Sequence, residues 1–263
     1  MYIMTTITQF LHYDSIFANY ITDINNTAGA TSSAYKCIFP MTSSFRNVKR
    51  CYLKTLELPV AFSNIRKGST DTFKFILNGS TYTVTLADKN YTTIASLLVD
   101  LNTSIVTTLS GTGSTMIISV LSTNKLSIAF NSNVFTFSIL DTNLSKYMLG
   151  FRTTDSFTAY TFNAMSQNYN LNADNYILMY VPTLNGMNAS MGGTISTFKI
   201  PFNAVQGQVY YYQSNSAYEQ FVDVTNKLMC ISNMEVHFLD RYGKNINPSG
   251  FDYSFTMAIE YVL

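Results

Sequence analysis

Apolar and polar residues alternate with a period of two along most of this chain. The longest such run closes it: Tyr253, Phe255, Met257, Ile259, Tyr261 and Leu263 alternate with Asp252, Ser254, Thr256, Ala258 and Glu260, whose face is mostly polar. Successive strand side chains point to opposite faces, so the run predicts a long strand with one buried face. Met234, Val236 and Phe238 share one face of a preceding strand, and Glu235 and His237 the other. Asp240–Gly250, with two glycines and Pro248, suits the return between them. A chain that stops on such a strand is expected to hold it inside a sheet, not at a loose edge.

The same pattern recurs upstream. Tyr35–Phe39 (closed by Pro40) and Val48–Leu58 (closed by Pro59) read as strands. Thr72–Leu77 and Ser80–Leu86 flank Asn78-Gly79, the strongest short hairpin signal, because both turn positions accept positive φ. Ile94, Leu97, Leu98, Leu101 and Ile105 step by three or four, which predicts a helix capped by Thr92 or Thr93. Met116–Val120, Leu126–Phe130 and Phe135–Ile139 then predict a three-stranded meander. Asn143–Phe151 suits a helical turn ending at Gly150, and Thr153–Asn175 a long Asn-rich connection anchored by Phe157, Tyr160 and Phe162. Strands follow at Tyr176–Val181, Phe198–Phe202 and Val209–Tyr212, with a glycine-rich loop at Asn185–Gly193. About a dozen strands with one inserted α-helix predict an all-β fold, a single antiparallel jelly-roll β-sandwich with elaborated loops.

Residues 1–33 are patterned weakly and are expected to form an N-terminal arm, with a short helix over Ile16–Ile24 behind Asp14 or Ser15. The jelly-roll domain is expected over residues 34–263, with 150–195 as a loop insertion. No internal repeat or sharp linker divides it.

Composition changes the picture in one respect. The chain is 47% hydrophobic and 14% aromatic but only 12% charged, about half the ordinary charged share. A surface so poor in charge is weakly protected against self-association, so assembly is the inference. A net charge of +1 offers no field to draw nucleic acid. Arg46, Lys49, Arg50, Lys54, Arg66 and Lys67 against the single acid Glu57 form the densest basic stretch. It suits either a solvated strand face or contact with an anionic surface or acidic neighbouring subunit. Tyr210, Tyr211 and Tyr212 cannot all point inward, and the outward ring is either an interface contact or covered by a loop.

Candidate chemistry is sparse. His237 could be polarised by Glu235, but no nucleophile turn accompanies the pair, and His12 lies in the unpatterned arm. Asp240 and Asp252 lack the repeated acids of a calcium loop and read as turn caps. Cys37, Cys51 and Cys230 are too widely spaced for zinc; Cys51 and Cys230 read as buried free thiols. No phosphate-cradling loop or dinucleotide fingerprint occurs. We therefore expect no enzyme activity, no cofactor and no metal. Met1–Phe10 lacks a basic leader and an apolar core, so synthesis in a reducing cytoplasm is expected.

Leu53-Lys54-Thr55-Leu56-Glu57-Leu58-Pro59 followed by Asn64-Ile65 resembles a signature near the start of a viral family. That family is the penton and minor capsid single jelly-roll proteins of nucleocytoplasmic large DNA viruses, virophages and related elements. Phe73-Lys74-Phe75 leading to Asn90-Tyr91-Thr92 is similar too, with Lys89 where the family often has glycine. Leu149-Gly150-Phe151 and the run from Leu239-Asp240 through Gly243 and Gly250 to Ser254-Phe255 and Ile259-Glu260-Tyr261 follow in the family's order. The resemblance covers residues 35–263. It implies a structural protein of an icosahedral virion, made in the host cytoplasm. In that family a penton is a homopentamer at a vertex, and other members cement the capsomers. Implied partners are copies of the chain itself, the major capsid protein, and other minor capsid proteins or an internal membrane reached by the arm. No specific nucleic acid is implied. The contact residues expected are Tyr210, Tyr211, Tyr212, Arg46, Lys49 and Arg50. The competing reading is a carbohydrate-binding or adhesive β-sandwich whose exposed tyrosines stack on sugar rings.

Overall fold

The structure is a computed structural model and describes residues 5–21, 36–121, 124–131, 133, 136–151, 156–157, 167–171, 174–184, 198–203, 207–215, 219–223, 229–246 and 251–263. In chain order the elements are β1 (Thr6–Asp14), β2 (Asn19–Ile21), β3 (Lys36–Pro59), β4 (Thr72–Leu77), β5 (Ser80–Thr85), α1 (Ile94–Thr108), β6 (Met116–Val120), β7 (Leu126–Phe130) and β8 (Phe137–Leu140). After these come β9 (Ser156–Phe157), β10 (Tyr176–Tyr180), β11 (Phe198–Pro201), β12 (Val209–Gln213), β13 (Phe221–Asp223), β14 (Met229–Leu239) and β15 (Ser254–Val262). All strand pairs are antiparallel. The chain forms two compact units, Met1–Phe62 with Asp174–Leu263, and Ser63–Ala173. A single body from residue 34 was the expectation; instead each unit closes over its own hydrophobic cluster.

The first unit is an antiparallel β-sandwich organised on β3. Phe39 and Leu56 lie in this one strand, seventeen residues apart, which would be about 56 Å if it ran straight. Yet Phe39 packs edge-on against Phe255 at 5.2 Å, and Phe255 is the register partner of Leu56. The strand therefore doubles back. The turn falls at Phe45–Lys49, where Asn47 takes φ +52 and the pairings with β14 and β15 slip register. Asparagine tolerates this left-handed backbone better than other non-glycine residues. The two strands expected at Tyr35–Phe39 and Val48–Leu58 are thus the halves of one strand, and Pro40 does not end it but pairs with Asn233.

Each half of β3 belongs to a different layer. The second half lies between β15 on one edge and β12 and β13 on the other, with β1 beyond β15. The first half lies between β2 and β14, with β10 and β11 beyond β14. Between the layers Tyr13, Phe39, Phe238, Tyr253 and Phe255 form a continuous ring cluster with centroids 4.8–6.4 Å apart. Leu53, Leu56, Ile177, Phe198, Ile231, Met257 and Ile259 complete it, all fully buried. Each such side chain contributes about 1.5–3 kcal/mol of transfer free energy. As expected, β15 is interior, flanked by β1 and β3.

Residues 1–33 contribute more than an arm. Thr6–Asp14 is a strand in register with Ser254–Val262, its Ile7, Leu11 and Tyr13 opposite Tyr261, Met257 and Phe255. Asp14 does cap a helical turn, its Oδ1 accepting from Ile16 N at 3.0 Å, but the turn is a single 3-10 step, Ser15–Phe17, followed by β2. Asn25–Ser33 lies outside the described residues, as do Tyr160, Phe162 and the loop Asn185–Gly193.

The second unit holds the helix. Asn78 (φ +49) and Gly79 (φ +80) make the expected β4–β5 turn, and the Asn78 side chain also accepts from Thr136 N and donates to Asn133 O. Thr93 Oγ1 accepts from Ser96 N at 3.2 Å as the cap of α1, whose buried stripe is the expected Ile94, Leu97, Leu98, Leu101 and Ile105. Asn102 fastens the helix to β6 through both backbone groups of Ile118. The expected meander does not form. Among the described residues β6 pairs with β7 alone, while β8 crosses to β4, since Phe137 and Ile139 meet Leu77 and Phe75. Two motifs singled out by resemblance meet here: Asn64 exchanges hydrogen bonds with both backbone groups of Tyr91, and Ile65 bridges Lys89.

Candidate interaction face

The outward face of the layer β1–β15–β3–β12/β13 is the surface that the sequence cannot bury. Register places its residues in rows across the strands. One row runs Phe10–Ala258–Tyr52–Phe221. Beside it runs Thr8–Glu260–Arg50–Asp223, and nearer the other end of β3 His12–Thr256–Thr55–Gln213 and Asp14–Ser254–Glu57–Tyr211.

The first row is aromatic although it faces outward. Phe10 is 64% exposed and Phe221 45%, while Ala258, with only a methyl between Phe10 and Tyr52, is fully covered. Tyr52 is buried too, under its neighbours: Phe221 tilts against it at 5.5 Å and the Lys54 ammonium stands 4.9 Å over its ring. Burial pushes its phenol up, opposed by the hydrogen bond from Arg50. The cations are themselves held. Arg50 lies 5.3 Å over Phe221 and 3.4 Å from Asp223, and Lys54 pairs with Glu219. These exposed pairs add little stability, but they fix the row's edges. With Tyr211 at 69% exposure and Val209 at 45%, the face presents separated apolar groups among threonine, serine and glutamine and the charged Asp14, Glu57, Glu260, Arg50 and Asp223.

The residues chosen from the sequence divide here. Tyr211 points outward, whereas Tyr210 and Tyr212 turn against the core, their phenols pushed up by burial. The Tyr210 hydroxyl donates to Pro201 O. Arg50 shares the outward face with Tyr211 but stands seven residues away along β3, on the order of 20 Å. Arg46 is exposed and Lys49 half-buried at the turn of β3, so the structure does not gather the six residues into one site. Phe10 and Phe221 were missed. Phe10 was legible as an apolar residue out of phase with Ile7, Leu11 and Tyr13.

The candidate chemistry resolves into structure. His237 Nε2 lies 2.8 Å from Glu235 Oε1, with the Tyr180 ring 5.6 Å away. Asp240 Oδ1 accepts from Tyr242 N and Lys244 N, a turn cap as expected, and Asp252 accepts from the buried Ser15 hydroxyl. Cys37 and Cys51 are buried, Cys51 pushed up to about 12 by burial; Cys230 is exposed, because Ile231 takes the inward position of β14. Among the described residues no cluster of three or more His, Cys, Asp or Glu is placed to hold a metal, and no helix is long and apolar enough to cross a membrane.

No protein-family model and no curated protein sequence matches the chain. Among solved structures, the crystal structure of the mavirus penton protein is similar over 97% of this chain and 100% of that one, with a TM-score of 0.43 and 10% sequence identity.

Proposed function

We propose that this protein is a structural component of an icosahedral virion, a vertex (penton) capsid protein that works as a homopentamer. The observation that carries the reading is the outward row Phe10–Ala258–Tyr52–Phe221, with Tyr211 on the same face, in a chain only 12% charged. Exposed aromatic rings whose flanking charges are already paired with one another favour burial against another protein surface. The ordered motifs from Leu53 to Tyr261 support the capsid family in particular, and Asn64 meeting Tyr91 gives two of those motifs a shared structural role. Major capsid protein is the neighbour such a ring would contact. A cementing role between capsomers uses the same face without a closed ring.

The reading assigns no catalysis, cofactor or metal.

Sedimentation velocity and multi-angle light scattering on the purified chain test the proposal. A discrete five-copy species is expected, and a monomer at every concentration overturns it. The exposed Tyr211 ring also favours one alternative, stacking on a sugar. Glycan-array binding by a monomer, abolished by Tyr211→Ala, would establish that adhesive reading instead.

A further inference from the structure

We propose that copies of this chain join edge to edge, β12 of one copy adding as an antiparallel strand to β1 of the next. The inference rests on the self-assembly reading above and names the surface that performs it.

Hydrogen bonding shows what β1 leaves unused. Ser15 N donates to Tyr253 O and Leu263 N to Thr5 O at the two ends of the β1–β15 ladder. Bonding alternates along an antiparallel pair, so odd-numbered residues of β1 face β15. The N–H and C=O groups of Thr6, Thr8, Phe10, His12 and Asp14 point the other way, and among the described residues no strand pairs with them. The same reading applies to β12. Val60 N donates to Gln208 O and Ser214 N to Lys54 O, so even-numbered residues face β3, while Val209, Tyr211 and Gln213 address the open side.

The two edges fit each other. In the order β1, β15, β3, β12 each strand opposes its neighbour, so β1 and β12 run in opposite directions. A second copy placed head to tail continues the alternation without a break. On both edges the outward backbone groups belong to residues whose side chains lie on the outward face, as directly opposed residues of one sheet must. Neither edge carries the lysine, proline or bulge that commonly guards a free strand. Centring β12 on β1 sets Tyr211 opposite Phe10, Gln213 opposite Thr8 and Val209 opposite His12, with no charge against like charge.

A separate observation marks the β1 side as incomplete. Leu11, Tyr13, Phe17, Phe39, Met41 and Phe45 line a cleft of about 280 Å³ between β1 and the first half of β3. Tyr13 is only 7% exposed, and among the described residues its hydroxyl has no hydrogen-bond partner. A buried hydroxyl without a partner is costly to keep. A neighbour seated along this edge covers the cleft and can supply an acceptor. Head-to-tail contacts of this kind are heterologous and close into a ring when the rotation permits.

Thr8→Pro and Tyr211→Pro test the pairing, because proline removes an N–H that faces the open edge and leaves the ladders to β15 and β3 intact. Each is expected to give folded monomers by far-UV circular dichroism and sedimentation. A ring that survives both substitutions overturns the inference and leaves the self-assembly reading standing; a wild-type chain that stays monomeric overturns both. Should proline prevent folding, Thr8→Cys with Gln213→Cys, in a Cys230→Ser background, decides the matter. Directly opposed hydrogen-bonded residues lie about 5.5 Å apart, within disulfide reach. Oxidation is expected to yield a ladder of covalent oligomers on a non-reducing gel, and monomers alone would refute the pairing.

Discussion

Phe39 and Phe255 should be energetically coupled, because β3 doubles back to bring them together. The perturbation is a double-mutant cycle with Phe39→Leu and Phe255→Leu. Leucine removes the ring but keeps an apolar side chain, so each single change should cost about 1–2 kcal/mol. The rings meet at 5.2 Å with planes 88° apart, the edge-on geometry worth about 0.5–1.5 kcal/mol beyond buried area. A coupling of about 1 kcal/mol is therefore expected between the two substitutions. The chain has no tryptophan, but its three cysteines all belong to the first unit and none to Ser63–Ala173. Alkylation of Cys37 and Cys51 in rising urea, in a Cys230→Ser background, thus reports unfolding of the sandwich alone. Effects at sites more than about 7–10 Å apart add to within roughly 0.3–0.5 kcal/mol. A cycle that closes within that margin would mean the two rings do not touch. The doubled strand, and with it the two-layer sandwich, would then be wrong.

Gly150→Ala should destabilise the second unit by about 2–3 kcal/mol, since the glycine has φ +78 and an added Cβ would stand 2.8 Å from Gln167 O. Gly111→Ala, with a similar φ but open space, should cost only about 1 kcal/mol, and thermal melts of the two variants should rank accordingly. At pH 8 iodoacetamide should modify Cys230 quickly and Cys51 only after unfolding, because burial holds the Cys51 thiol near 12; equal rates by mass spectrometry would contradict the fold. The same raised value makes a pH prediction. Cys51 keeps its proton when folded, so its contribution is intact below about pH 9, the ordinary thiol value, and is lost as pH rises towards 12. Stability measured by urea over that window should fall less steeply in Cys51→Val. Asp100 accepts from the Lys89 ammonium and the Tyr91 hydroxyl, which hold its carboxyl below the usual range. Its contribution is present above the ordinary carboxylate pKa and lost as pH falls, and Lys89→Ala should raise the titration seen by NMR.

Local rules were legible wherever a few neighbouring residues decide the outcome. Asn78-Gly79 specified its turn, Thr93 its cap, and the Ile94–Ile105 stripe its helix, because each signal is complete within a few residues. What the sequence concealed is long-range. Nothing local says that Phe137 pairs with Leu77 and not with the preceding strand, since both partners offer the same alternation. Pro40 read as a stop because proline cannot donate to a ladder, yet it stays in register with Asn233, beside the register shift between Ile231 and Asn233. The first fourteen residues read as an arm because Thr8 and His12 dilute the inward Ile7, Leu11 and Tyr13. In the candidate face the tyrosine triplet announced its outward ring, but Phe10 and Phe221 join across four strands, and no spacing along the chain encodes that row.

The low charge of this chain and its open strand edges belong to one physical argument. A strand edge nine residues long that no described strand covers is a hazard for a monomer, and natural sheets usually guard such an edge with lysine, proline or a twist. In β1 the outward backbone groups belong to Thr6, Thr8, Phe10, His12 and Asp14, among which only Asp14, at one end, carries a fixed charge. An edge kept unguarded is explicable if something regularly occupies it. Polar threonine and glutamine then keep the unassembled chain hydrated while adding no repulsion to oppose pairing. Adding charge should therefore act on assembly before it acts on folding. Thr8→Lys with Gln213→Lys would set like charges opposite each other across the proposed junction, weakening it while each chain folds unchanged. Pairing Thr8→Lys with Gln213→Glu should restore the assembly. Sedimentation at two salt concentrations would separate that electrostatic effect from a general loss of fit.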